Sequence, residues 1–134
     1  MLIAGVILYL AVATGIIAMA AKYIRATPPI DYHARIMESD TPGEGTITVI
    51  GALYKVMGGA LLALGVLLGL VTLFGVMENL LWAKLATLAS SLIAGGFAVL
   101  VPREVERLTG VRTPWRPAAV LTALAILAFV LTLF

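Results

Sequence analysis

Four long apolar runs, separated by polar connections of very unequal length, set the pattern of this chain. The first, Leu2 to Ala21, holds no charged residue. The second covers Ile47 to Met77 with Lys55 inside it, and from Val56 onward it is uncharged. The third is Leu80 to Val101, with Lys84 near its start, and the fourth is Pro117 to Phe134. Crossing about 30 Å of hydrocarbon takes about 20 apolar residues at 1.5 Å each, so every run is long enough, or nearly so, for a helical span. None alternates apolar and polar residues at period two, which disfavours a β-barrel. The expected fold is all-α and integral to a membrane. It is a single domain over 1–134, an up-down bundle of four transmembrane helices at about 2–21, 53–77, 80–101 and 117–134.

The connections refine this picture. The second is only Glu78-Asn79, a tight turn. In the third, Pro102 is expected to end or kink the preceding helix. Gly110 suits a helix stop, and Pro114 and Pro117 frame the first turn of the last helix, where proline costs little. The first connection, Lys22 to Thr46, is long and polar. After Pro28-Pro29 it places Ile30, His33, Ile36 and Met37 on one helical face and Asp31, Arg35 and Glu38 on another. That pattern predicts a short amphipathic segment lying in the membrane interface.

Composition supports the membrane reading. The chain has 134 residues, of which 62% are hydrophobic and 12% charged. A soluble domain carries about 25% charged residues, so this chain lacks the polar groups to cover a water-facing surface. The net charge of +2 gives no basic surface for nucleic acid. With no cysteine, disulfides, thiol redox chemistry, thiolate metal sites and palmitoylation are excluded. The first run lacks a basic leader region and exceeds the usual apolar stretch of about 7–15 residues, so it is expected as a span rather than a cleaved signal, despite the small residues at Ala18 to Ala21.

Basic residues are one-sided. Lys22, Arg25 and Arg35 fall in the first connection, Arg103, Arg107, Arg112 and Arg116 in the third, and none in the second. The excess of Lys and Arg on cytoplasmic loops then places both long connections inside and both termini outside. Lys55 and Lys84 are expected to snorkel to their nearer interfaces, Lys84 toward Glu78. Tyr23, Tyr54, Trp82 and Trp115 sit near run ends, where amphipathic rings anchor at headgroup level.

Few residues offer chemistry. Small residues recur at helical spacing: Ala4, Ala11, Gly15 and Ala18 in the first run, Gly58, Gly65, Gly69 and Thr72 in the second, Thr87, Ser91, Gly95 and Ala98 in the third. Helices in lipid associate by close approach, so these stripes suit packing within the chain or an interface between copies. No carboxylate lies in the middle of a run, which counts against an ion-coupled carrier. A single histidine, His33, rules out a bis-histidine haem or a histidine-rich metal site within the chain. No cofactor and no metal are therefore expected. Asp31, Tyr32 and His33, with Lys55, form the most polar candidate patch, either a titratable or ligand-contacting site or plain headgroup-level residues. Arg103, Arg107, Arg112 and Arg116 could contact anionic lipid. The hydroxyls within the runs are scattered, and no catalytic constellation can be assembled from them.

Tyr32-His33 soon after the first run, followed by LYKVMGGALLALG from Leu53 to Gly65, resembles a group of small four-span bacterial membrane proteins without an assigned activity. The resemblance covers Pro29 to Gly65, about a third of the chain. It implies the architecture and a bacterial inner (plasma) membrane, not a reaction. The leading expectation is a non-catalytic accessory or structural subunit of a membrane complex, or a homo-oligomer, with membrane lipids as further partners. The alternative is an oligomeric carrier or channel for a small solute, ion or lipid. An enzyme acting on lipid headgroups near His33 is a third reading.

Overall fold

The computed structural model describes residues 1–38 and 42–134, and of Asp31 only the backbone. The described chain is helical: α1 (Leu2–Arg25), α2 (Asp31–Ile36), α3 (Glu44–Val71), α4 (Leu81–Thr109) and α5 (Trp115–Thr132). A π-helical turn, Thr72–Val76, continues α3. Four of these helices are long and apolar enough to cross a membrane.

The helices outrun the apolar segments. Charged residues end a hydrophobic run without ending a helix, and Lys22 and Arg25 suit the last turn of α1 because cations favour the negative end of the helix dipole. With its π turn, α3 extends over 33 residues, about 50 Å at 1.5 Å per residue. Its first turns carry Glu44, Thr46 and Thr48, all exposed. Pro102 does not end α4: the helix runs on to Thr109. The stop is Gly110, whose φ of 71° is the left-handed conformation glycine adopts freely. The α3–α4 turn uses the same device at Asn79, φ 60°, since Asn is among the few other residues that tolerate it.

Small residues decide which helices meet. A Cβ on Gly58 would lie 2.6 Å from Ile24 Cγ1 and 3.1 Å from the Ala20 carbonyl. One on Gly65 would lie 2.6 Å from Ile17 Cγ1 and 3.1 Å from the Ala13 carbonyl. These two glycines let the backbones of α3 and α1 approach. On the other flank of α1, Gly5 meets Ala128 and Thr132 of α5, and Gly15 meets Leu121. Gly95 of α4 sits against Thr122 of α5. The helices are thus ordered α3, α1, α5, α4. Although consecutive in the chain, α3 and α4 meet near their turn, where Gly75 faces Ala83, and scarcely touch beyond it. The buried core is Val6, Tyr9 and Val12 with Val76, Ala83, Ala125 and Ala128. Most apolar side chains of α3 and α4 point outward, including Val66, Leu67, Ile93 and Phe97.

The stripe expected on α1 lies only partly on a face that packs. Gly15 meets Leu121 of α5, but Ala4, Ala11 and Ala18 are exposed, and the buried small residues are Gly5, Ala13 and Ala20. In an all-apolar helix no polar face fixes the phase, so neighbouring stripes of small residues compete.

Candidate functional site

The gap between α3 and α4 forms an open cleft of about 540 Å³, within the roughly 300–1,000 Å³ typical of ligand pockets. Met57, Leu61 and Leu64 of α3 form one wall, and Ala94, Phe97 and Val101 of α4 the other. Val12, Ile16 and Met19 of α1 and Leu121 of α5 close the back. Tyr23, Tyr32 and His33 line one end together with Pro102 and Pro114, while Ser91 lines the wall furthest along α4 from them. Phe97 is 70% exposed and Met57 39%, so the cavity is an elongated cleft with its mouth between α3 and α4.

The polar end is a cluster of rings. His33 Nδ1 and the Tyr54 hydroxyl share a hydrogen bond, and the rings of His33 and Tyr54 stack at 5.4 Å. Tyr54 also meets Tyr23 edge to face at 5.7 Å and accepts the Ile30 N–H at 3.5 Å. Tyr32 leans on His33, ring centres 4.1 Å apart. The α2 helix is therefore pinned across the end of the cleft by Tyr54 of α3, which in turn packs on Tyr23 of α1. Sequence reasoning put Tyr54 among interfacial anchors. Its pairing with His33 could not be read there, because the two are 21 residues apart and in different helices.

The remaining candidates are dispersed. Asp31 opens α2, but its side chain lies outside the described part of the structure. Lys55 follows Tyr54 and points outward, exposed. Gly58 and Gly65 are filled by α1, and Gly95 by Thr122, whereas a Cβ on Gly69 would meet nothing within 4 Å. The basic cluster is partly neutralised from within. Arg107 pairs with Glu104 at 2.6 Å and Arg116 with Glu106 at 3.1 Å. Arg116 also lies over the Trp115 ring at 4.7 Å and Arg103 at 5.7 Å, a favourable cation–π placement. Arg112 is exposed.

Glu106 organises the α4–α5 connection beyond the apolar part of α4. It accepts the Thr113 N–H at 2.8 Å, and the Thr113 hydroxyl donates to the Pro102 carbonyl at 2.7 Å. The Thr113 backbone bond, with Arg116 adding to it, holds the Glu106 carboxyl below its ordinary value. The same contacts seat Pro114 and Pro117 at the end of the cleft.

Lys84 reaches toward the Glu78-Asn79 turn, as expected, but it is buried there, 5% exposed: its ammonium donates to Asn79 Oδ1 at 2.5 Å and to the Thr132 carbonyl at the end of α5. The side chain is tethered by a helix terminus that, nearly fifty positions away in sequence, no local pattern indicates.

Three buried hydroxyls have no hydrogen-bond partner among the described residues: Tyr9, Thr72 and Ser91. Tyr9 and Thr72 lie outside the cleft lining, and Ser91 is part of it. The described residues bring together no group of three or more His, Asp or Glu side chains able to hold a metal. The cleft lining is mostly apolar, with Tyr23, Tyr32 and His33 gathered at one end. Comparison of the chain with known protein families, with curated proteins and with solved structures found no match.

Proposed function

We propose that this chain is a non-catalytic integral membrane protein that takes one lipid-like molecule from the surrounding leaflet into the cleft between α3 and α4. The cleft itself is the observation that carries this reading: about 540 Å³ of largely apolar space, with its mouth on the faces that a bilayer would cover. Ser91 to Pro102 is about 16 Å along α4 at 1.5 Å per residue. That is about half of a 30 Å hydrocarbon core, so the cleft is one leaflet deep.

In this reading the four long helices cross the membrane as an up-down bundle. The contacts Gly58–Ala20 and Gly65–Ala13, Gly5–Thr132 and Gly15–Leu121 run in opposite orders along the paired helices, as that arrangement requires. The one-sided Lys and Arg put α2 and the α4–α5 connection in the cytoplasm and both termini outside, in a bacterial inner membrane. A carboxyl-terminal reporter is then expected to work only when its active compartment lies outside the cytoplasm. Activity of a cytoplasm-only reporter would reverse the orientation.

Native mass spectrometry of the chain released from membranes in mild detergent tests the function. One lipid-like adduct per chain is expected, and a bare chain under the gentlest conditions would contradict it. The accessory-subunit reading keeps one specific support, the open space at Gly59, Gly69 and Gly96, where a helix of another subunit could approach closely. A co-eluting polypeptide in place of the adduct would favour it.

A further inference from the structure

We propose a second lipid contact, outside the cleft: Arg103, held beside Trp115, binds the phosphodiester of an anionic phospholipid, whose acyl chain lies along α4. It rests on the membrane crossing set out above and is independent of what the cleft holds.

The site is an open hollow of about 570 Å³ formed by Leu100, Arg103, Glu104, Glu106, Arg107 and Trp115. None of these residues lines the cleft. The charges around the hollow cancel in pairs, with one exception. Glu104 holds Arg107, and Glu106 holds Arg116 while accepting from the Thr113 N–H. Arg103 has no carboxylate partner among the described residues. Its guanidinium lies over the Trp115 ring at 5.7 Å, which keeps the charge at the hollow and leaves its N–H donors for a ligand.

That donor fork matches a phosphate oxyanion. One uncompensated cation calls for one negative charge, which a phosphodiester supplies. A headgroup ammonium would find both carboxylates of the hollow already engaged. Arg103 stands two residues past Val101, where the apolar run of α4 ends, so its charge falls at the membrane surface, where basic side chains attract anionic lipid.

The surface along α4 makes the ligand a lipid rather than a soluble phosphate ester. Ile93, Gly96, Leu100, Arg103 and Arg107 follow one another at three- and four-residue spacing and so share one face of the helix. Ile93 and Leu100 are each 65% exposed, and a Cβ on Gly96 would meet nothing within 4 Å. The face therefore offers a notch between two apolar side chains, in line with the cation, along which an acyl chain can lie.

The chain has two tryptophans, and Trp115 is the one in the hollow, so Trp82→Phe leaves a single fluorophore at the site. The full chain with this change is placed in phosphatidylcholine vesicles that contain a minor fraction of phosphatidylglycerol, phosphatidylethanolamine or phosphatidylcholine with brominated chains, which quench tryptophan on contact. At equal fraction the phosphatidylglycerol is expected to quench about threefold more effectively than the other two, the size of one exposed ion pair. Arg103→Gln is expected to bring the three lipids level, with quenching by brominated phosphatidylcholine unchanged, which shows that the variant is folded and inserted. Arg112→Gln removes an exposed cation outside the hollow and is expected to keep the preference. Equal quenching by the three lipids, a preference that survives Arg103→Gln, or one lost equally in Arg112→Gln would overturn the proposal. Loss of the preference on adding soluble glycerophosphoglycerol would assign the hollow to a free phosphate ester and overturn the lipid assignment.

Discussion

Replacing Gly58 and Gly65 together by leucine is expected to separate α1 from α3 and to lower the thermal midpoint of the chain in detergent by far more than any surface change. At each position even a single added carbon would fall within 3.1 Å of a backbone carbonyl of α1, besides pressing on Ile24 or Ile17. A side chain can rotate away, but a backbone oxygen moves only with its helix. Overpacking of this kind costs about 1–3 kcal/mol per site, and two such sites on one interface consume a large share of a typical 5–15 kcal/mol stability. The same substitution at Gly59 and Gly96, where nothing lies within 4 Å, is expected to leave the midpoint nearly unchanged. Circular dichroism melting of the two double variants makes the comparison, and equal midpoints would refute the packing described for α1 and α3.

Lys84→Met is the second large effect. The change keeps the length and apolar stem of the side chain but removes the donor shared by Asn79 and the Thr132 carbonyl. The buried Thr132 carbonyl would be left without it where α5 ends, while Asn79 is exposed. An unsatisfied buried acceptor costs about 1–3 kcal/mol, and here the loss also frees the end of α5 and the turn at Asn79. Thr132→Val removes the hydroxyl, which donates locally to the Phe129 carbonyl at 2.7 Å, and retains the carbonyl that Lys84 uses. Hydrogen exchange in the last turns of α5 is expected to rise strongly in Lys84→Met and little in Thr132→Val. Similar exchange in the two variants would place the restraint elsewhere than Lys84.

What the sequence could convey here is what polarity encodes. Apolar run length locates four helices long enough to span a membrane, and Gly110 and Asn79 mark a stop and a turn by their backbone freedom. Pairing between helices is hardly encoded in this way. Within an apolar helix there is no polar face to set the phase, so the stripe at Ala4, Ala11, Gly15 and Ala18, of which Gly15 alone meets a neighbouring helix, looks as good as the set Gly5, Ala13 and Ala20 that is actually buried. Chain adjacency misleads as well. A turn as short as Glu78-Asn79 suggests that α3 and α4 pack along their length, yet the glycines direct α3 to α1 and α4 to α5. The cleft is the consequence, and it draws residues from α1, α2, α3, α4 and α5. Of the residues singled out from the sequence, Tyr32, His33, Ser91 and Gly95 all line it. Their common location depends on helix pairings that hydropathy cannot specify.

Whether the space between α3 and α4 holds a lipid-like molecule is asked most directly by filling that space. Ala94 lines the cleft and is not part of the buried core, so Ala94→Trp occupies the ligand volume without entering the contacts that hold the helices together. Native mass spectrometry of wild type and variant from the same membranes should show one lipid-like adduct on the wild type and none on Ala94→Trp, with both chains folded. An adduct of equal mass and occupancy on the two proteins would contradict the account, because the bound molecule would then sit outside the cleft.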